Sequence, residues 1–489
     1  MRKKIIFIPF IIVILVISSF TYDKFLNHNN SIYGKELTTE SLISYSQLDN
    51  QSISHINKYL DKGNKTTEYN NKIKEIANSV LPEKTIYFST SGKDSNNGLS
   101  ANSPKKNPVP FIESGNYTVL LKAGDTFYMD KSIQVGSNIR ISTYGDKQKA
   151  HISFLQQSSN SFQIFDSSKN IYCLKLNGNT KDTGWIAIDG TQYWKKMLTN
   201  SLNNDGEYWV DSASGILYLK SSSDIIGKKF KYSQTSNGFF LNNGSKCSIE
   251  NLEIYGCGYH GISIVSYSNL LVNNCFVHDI GGAIHTSTGV KYGNGIQVWA
   301  TDSHDIIIAN NTVSNCFDAG LTVQIDDSQK KDAYQIYFIN NYVDRCNYGF
   351  ECFQSGLNCS IHDIVVSNNI FFDIKDITDG YRLTKYSNDC TSYLCLWYCD
   401  NNQDNILIKN NIGYKTERYA INYAYDSAAH PYVFNNNLLQ ATDTKAAIKN
   451  PQNHTGDSSQ IDYSLINMDE YRIINDYFTT NYTSDTVLK

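Results

Sequence analysis

The sequence predicts an all-β protein, a right-handed parallel β-helix, and two recurring phrases predict it. The first is a short β-branched or aromatic run closed by Asn–Asn, as in Ile306-Ile307-Ile308-Ala309-Asn310-Asn311 and Ile336-Tyr337-Phe338-Ile339-Asn340-Asn341. It occurs at 270–274, 306–311, 336–341, 364–369, 406–411 and 433–436. Counted at the second Asn of each pair, the steps are 37, 30, 28, 42 and 25 residues. Repeats of about 20–50 residues mark solenoids and related arrays. Runs this short, rich in Ile and Val, are strands that bury their apolar faces only by stacking. Asn suits the turn because it tolerates the left-handed region, and stacked amides can hydrogen-bond along the stack.

The second phrase is a Gly or other small residue followed by an alternating run. It reads Gly261-Ile262-Ser263-Ile264-Val265, Gly295-Ile296-Gln297-Val298-Trp299, Gly320-Leu321-Thr322-Val323-Gln324 and Gly349-Phe350-Glu351-Cys352-Phe353. Looser copies are Tyr393-Leu394-Cys395-Leu396-Trp397 and Ala420-Ile421-Asn422-Tyr423-Ala424. Side chains alternate across a strand. The first and third residues after the small one are apolar and face the core. The second and fourth face outward. One outward column is then Ser263, Gln297, Thr322, Glu351, Cys395, Asn422. Its neighbour is Val265, Trp299, Gln324, Phe353, Trp397, Ala424. Rungs about 4.8 Å apart make this a polar column beside an aromatic one, a surface suited to the hydroxyl edges and apolar faces of sugar rings. A sheet face covered by a loop is the plainer alternative.

Composition narrows the partners. Lys and Arg number 43 against 47 Asp and Glu, a net charge of −4, with 18% charged residues. That balance argues against nucleic acid and against an anionic membrane surface. Met1-Arg2-Lys3-Lys4 precedes an apolar run from Ile5 to Phe20, the pattern of an export signal. With no small-x-small cleavage site before Tyr22, an uncleaved membrane anchor is favoured over a removed signal, so the chain is expected at the cell surface or secreted. A monomer is expected. Of eleven cysteines, Cys275, Cys316 and Cys346 recur shortly after Asn pairs and are expected as a buried column; Cys352 with Cys359, and Cys390, Cys395 and Cys399, are candidate disulfide partners.

The chain divides into a signal or anchor segment (1–22), a polar spacer with weak helical stretches such as Lys72 to Val80 (23–82), a cap with the first rungs (83–184), an inserted β subdomain (185–234), rungs with the groove (235–440) and a capping tail (441–489). The fold opens at Thr85-Ile86-Tyr87-Phe88. Gly92-Lys93-Asp94, Asn97-Gly98 and Lys122-Ala123-Gly124-Asp125-Thr126 follow. This passage resembles the opening of pectate-lyase-like β-helix proteins, over roughly residues 85–130. In the insertion, Gly206-Glu207-Tyr208-Trp209-Val210-Asp211 and Gly215-Ile216-Leu217-Tyr218-Leu219 form a hairpin pattern with an Asp-to-Gly turn. The phrase is similar to an insertion in several β-helix glycoside hydrolases.

Candidate chemistry centres on carboxylates. Glu351 stands alone, mid-strand, in the first outward column, where acids are disfavoured by propensity. Asp318 precedes the small residue of the rung before it; Asp326 and Asp327 close that rung. Sugar hydrolysis needs two carboxyl groups about 5–5.5 Å apart for retention or about 6.5–9.5 Å for inversion. Asp318 and Asp326 each lie four positions from Glu351, over about 13 Å along a regular strand, so the pairing requires the chain to fold back. Tyr292-Gly293-Asn294-Gly295-Ile296 and Phe317-Asp318-Ala319-Gly320-Leu321-Thr322-Val323-Gln324 resemble a passage of bacterial β-helix proteins of polysaccharide turnover. The resemblance implies that Asn294, Asp318 and Gln324 line the site. The catalytic candidates are therefore Glu351, Asp318, Asp326 and Asp327, and the binding candidates are Asn294, Gln297, Trp299, Thr322, Gln324, Phe353 and Trp397.

The rival activity is a polysaccharide lyase, with Lys291, Lys330, Lys331, Arg345 or Arg382 as base. The outward columns carry no Lys or Arg, which argues against an acidic substrate there. A third class is a non-catalytic glycan-binding surface protein. Asp302, Asp327, Asp400 and Asp426 end the outward runs; stacked carboxylates suit Ca²⁺, but Asp also starts turns, and the turn is preferred. No cofactor is expected otherwise. His260, His278 and His285 are expected in turns or at the surface.

Overall fold

The computed structural model describes residues 67–473, apart from 147, 179, 196–199, 286–289, 300, 327–330, 356–357, 379–390, 398–402, 425–431, 436, 440–447, 450–466 and 469–470. The expected signal or anchor segment lies outside these residues. Among the described residues no helix is long and apolar enough to cross a membrane.

Three parallel sheets wind around one core. Segments 262–265, 296–299, 321–326, 350–355, 394–397 and 421–424 stack as the first. Segments 270–273, 306–309, 336–339, 364–367 and 406–409 form the second. Segments 276–280, 312–316, 342–346, 370–374 and 412–416 form the third. The inward residues, among them Ile264, Val298, Val323, Cys352 and Leu396, are fully buried in one continuous core.

The Asn–Asn corner joins the second sheet to the third, and its two residues do different work. Asn310, Asn340, Asn368 and Asn410 take the left-handed conformation, with φ of 57°, 56°, 58° and 56°. The Asn that follows each is buried and faces its neighbours up and down the stack. The Oδ1 of Asn341 accepts both the N–H and Nδ2 of Asn311 at 3.0 Å. Asn369 does the same for Asn341, Asn411 for Asn369 and Asn437 for Asn411, all at 2.9–3.0 Å. Each Nδ2 also donates to a second-sheet carbonyl. The expected alignment on the second Asn slips at both ends. Asn274 is the left-handed residue (φ 52°), so Cys275 holds the ladder position. At the last described rung it is Asn437.

Two features differ from the expected organisation. The helical stretch expected near Lys72 to Val80 is helix α1 (Thr67–Ser79), and it lies on the second sheet where a free spacer was expected. Its Tyr69, Ile73, Ile76 and Ala77 pack on Leu271, Ile307, Ala309 and Ile339. A polar average conceals this amphipathic spacing. The insertion is larger than a hairpin and begins before residue 185. Strands from Leu155–Gln157 to Phe230–Ser233 build two four-stranded antiparallel sheets with a core of their own. Within them, Tyr208–Asp211 and Ile216–Lys220 pair as the predicted hairpin, with Gly215 (φ 68°) in its turn. The insertion docks on the rungs through Trp185 and Trp194, which pack with Phe317. At this contact Gly184 lies against the backbone of Gly281 and Ala283, where no side chain would fit.

Among the described residues the cysteines form no disulfide. Cys275, Cys316 and Cys346 are buried, and Cys316 pairs in register with Cys346. Cys352, Cys359 and Cys395 form no disulfide; Cys390 and Cys399 lie outside the described residues. Small buried thiols suit a column that is crowded by neighbouring rungs.

Candidate functional site

The two outward columns stand in the predicted register. Gln297 pairs with Thr322, Thr322 with Glu351, Glu351 with Cys395, and Cys395 with Asn422. Beside them run Trp299, Gln324, Phe353 and Trp397. The Glu351 carboxylate is held from the rung below. Gln324 Nε2 donates to its Oε2 at 2.5 Å and Thr322 Oγ1 to the same oxygen at 3.2 Å. Cross-strand neighbours thus fix the orientation of the acid, since residues directly opposite are within reach of one another.

Facing away from the core does not leave the polar column open. Glu351 is 3% exposed, Thr322 0% and Gln297 5%. The aromatic column is the more open one, with Trp299, Gln324 and Phe353 half-buried. The side chains of Asp326 and Trp397, and Asp327 altogether, lie outside the described residues.

Asp318 sits where the third sheet turns into the first. Cys316 pairs with Cys346 and Ala319 with Tyr348, so two corner residues, Phe317 and Asp318, stand against the single Asn347. A bulge of this kind re-aims side chains. It sends Phe317 under the insertion and leaves Asp318 half-buried, four residues ahead of Thr322. The corner is held by the preceding rung. Asp318 N–H donates to Gly293 O at 3.1 Å, and Ala319 N–H to Asn294 Oδ1 at 3.0 Å. Asn294 Nδ2 donates to Gln297 Oε1 at 2.6 Å, which ties the corner to the polar column. Register therefore brings Glu351, Thr322, Gln324 and Gln297 together, and hydrogen bonds link Asn294 to them.

His260 and His285 lie between strands, in the expected turns, and His278 does not. His260 is buried, and its Nδ1 accepts the Asn294 N–H at 3.1 Å, which puts the proton of the neutral ring on Nε2. Burial, with His285 nearby, pushes its pKa down to about 3. Tyr292 stacks on both His260 and His285, at 5.1 and 4.8 Å, and Tyr259 closes the group. These rings wall the edge of the first sheet. Spacing alone does not reveal them, because turn-forming Gly surrounds them in the sequence. His278 belongs to the third sheet instead. It lies between the rings of Tyr255 and Phe276 and bonds Asp279 at 2.8 Å and Glu253 at 3.2 Å. Burial opposes its charge, but the two carboxylates prevail and raise its pKa to about 9.

The basic candidates that are described are occupied elsewhere. Lys291 is buried and donates to Lys195 O at 3.0 Å. Lys331 faces Asp302 at 3.4 Å. Arg345 joins Asp344 and Ser314 on the third sheet. Lys330 and Arg382 lie outside the described residues, as do Asp400 and Asp426. Among the described residues no three His, Cys, Asp or Glu side chains gather as metal ligands.

Comparison with known proteins agrees with the architecture. Residues 214–396 match the family model described as a right handed beta helix region. Those residues thus carry a right-handed β-helix. No curated protein matches it. Among solved structures, a complex of XylC with xylose is 11% identical, covering 75% of this chain and 69% of that one at a TM-score of 0.46. The alginate lyase of Paenibacillus sp. str. FPU-7 is 13% identical over 75% and 91%, TM-score 0.42. PfbA, a surface adhesin of Streptococcus pneumoniae, is 15% identical over 68% and 72%, TM-score 0.35.

Proposed function

We propose that this chain is an extracytoplasmic, carbohydrate-active β-helix protein that hydrolyses a bacterial or plant polysaccharide by carboxylate acid–base chemistry. One observation carries the reading. An acid stands mid-strand on the outward side of the first sheet, and two side-chain donors hold one of its oxygens. Glu351 is the central acid–base residue. Gln324 and Thr322 orient it, and Trp299, Phe353 and Trp397 supply ring faces for sugars. Asp318, Asp326 and Asp327 are the second-carboxylate candidates. A separation of about 13 Å along the strand exceeds both the retaining and the inverting spacing, so either outcome requires the chain to fold back toward Glu351. The engaged state of Lys291, Lys331 and Arg345 weighs against the lyase alternative. No metal takes part in this reading.

The near-complete burial of Glu351 favours one second reading, a non-catalytic surface protein that binds glycan. A panel of polysaccharides incubated with the wild type and with Glu351→Gln separates the two. New reducing ends that appear with the wild type and vanish with the variant support hydrolysis. Absence of any new ends or ultraviolet-absorbing unsaturated ends across the panel overturns it in favour of binding.

A further inference from the structure

The insertion carries an open sheet face that contrasts with the closed polar column. The four strands Tyr208–Asp211, Ile216–Lys220, Ile171–Lys175 and Gln163–Asp166 pair antiparallel in that order. Tyr208, Val210, Leu217, Leu219 and Leu174 turn inward to the insertion's own core. By alternation, Trp209, Tyr218 and Cys173 turn outward together, as their register pairs them. None of these three is buried. The rings of Trp209 and Tyr218 lie stacked, centroids 5.6 Å apart and 22° from parallel. Phe165, 60% exposed, stands edge-on to Tyr218 at 4.9 Å and 75°. The result is a ledge with an upright end. Asp211 and Lys175 flank it on one side and Lys220 on the other.

Size decides what such a face can hold. Four strands about 4.8 Å apart and four or five residues long at about 3.3 Å each give on the order of 300 Å². A stable protein interface takes about 800 Å² from each partner, so this face is too small to hold a protein on its own. It matches two or three sugar rings, whose apolar faces pack against the exposed aromatic surface while hydroxyls reach donors and acceptors at the rim. At that rim Lys175 Nζ donates to Ser214 O, Lys220 Nζ to Lys169 O, and Asp211 accepts from Ala213 and Ser214, and each group keeps further N–H donors or lone pairs for a hydroxyl. Exposed aromatic patches with a polar border mark binding surfaces in general.

We infer that the outer face of the insertion, centred on Trp209, Tyr218 and Phe165, is a glycan-binding platform separate from the rung face. It holds a polysaccharide chain whether or not Glu351 is catalytic. Native electrophoresis of the full chain in gels cast with xylan, polygalacturonate, alginate or mixed-linkage β-glucan tests this. The wild type and Glu351→Gln should be retarded alike in at least one gel. Trp209→Ala and Tyr218→Ala should bind about tenfold more weakly or migrate as in the sugar-free gel. Phe165→Ser, at a 60% exposed edge position, should also weaken retardation. The retarding polysaccharide should in addition shield Cys173 from maleimide, followed by mass spectrometry of its peptide. Retardation of none of the four, or retardation and Cys173 labelling unchanged by Trp209→Ala and Phe165→Ser, overturns the platform. Retardation lost with Glu351→Gln but kept with Trp209→Ala places binding on the rung face alone.

Discussion

Asn311 and Asn341 meet across one rung through a single acceptor: the Oδ1 of Asn341 takes both the backbone N–H and the side-chain amide of Asn311. The corner's buried polar groups are thereby satisfied by identical neighbours. Removing one member strands the partners on the rungs to either side of it.

Asn341→Ala is expected to destabilise the fold by about 2–4 kcal/mol, because several buried donors and acceptors lose partners at once. Denaturant unfolding measures it. Cys275→Asn should do the opposite. Cys275 already lies below Asn311, and its thiol sits by Ile249 O. That carbonyl occupies the place that Val272 O holds for Asn311. An Asn there extends the ladder, so the melting temperature should hold or rise. A fall of several degrees would refute the equivalence of the two positions.

Glu351→Gln keeps shape and neighbours and removes the proton-transferring group. Hydrolysis should fall by about 10²–10⁴-fold with little change in glycan affinity. Initial rates of reducing-end release and gel retardation, measured on the same preparation, decide the matter.

His278 makes stability depend on pH at the alkaline end. Its pKa is about 9 when folded against about 6.5 unfolded. A raised pKa stabilises fully below 6.5, and the gain is lost as pH rises to about 9. The difference is worth about 3 kcal/mol. Melting temperatures from pH 6 to 10 should decline in the wild type and much less in His278→Gln. His260 acts at the other end. It is held neutral, so its contribution is complete above 6.5 and fades as pH falls toward 3. His260→Asn, which keeps an acceptor where Nδ1 lies, should flatten the acid limb.

Gly184→Ala should loosen the insertion from the rungs, since an added Cβ meets the carbonyl of Gly281. Limited proteolysis should then cut between the two units while the rung core stays intact. Cleavage no faster than wild type would show that the tryptophan contacts suffice.

Most of the rung architecture was legible, because side-chain alternation has a period of two and needs no knowledge of neighbours. That is why Gln297, Thr322, Glu351 and Cys395 line up as the sequence predicts. What the pattern omits is whatever depends on a third partner. An Asn pair does not say which member takes positive φ, so Asn274 was aligned with the wrong ladder residue. Alternation says that Glu351 points away from the core but not that other chain covers it. Helix α1 was legible as a helical stretch near Lys72 to Val80, but its docking on the second sheet was not, since its four apolar contacts sit among Lys, Glu and Asn. The role of His260 required a long-range bond to Asn294 that no local motif encodes.

The amide ladder holds its spacing at 2.9–3.0 Å while the chain between successive members runs to 36, 30, 28, 42 and 26 residues. One corner thus keeps time for the whole solenoid, and the other two corners are released from doing so. Loops can lengthen or shorten there from one turn to the next without disturbing the stacking. Such a scaffold can be rewritten around its rim for a new ligand while its interior keeps the same beat.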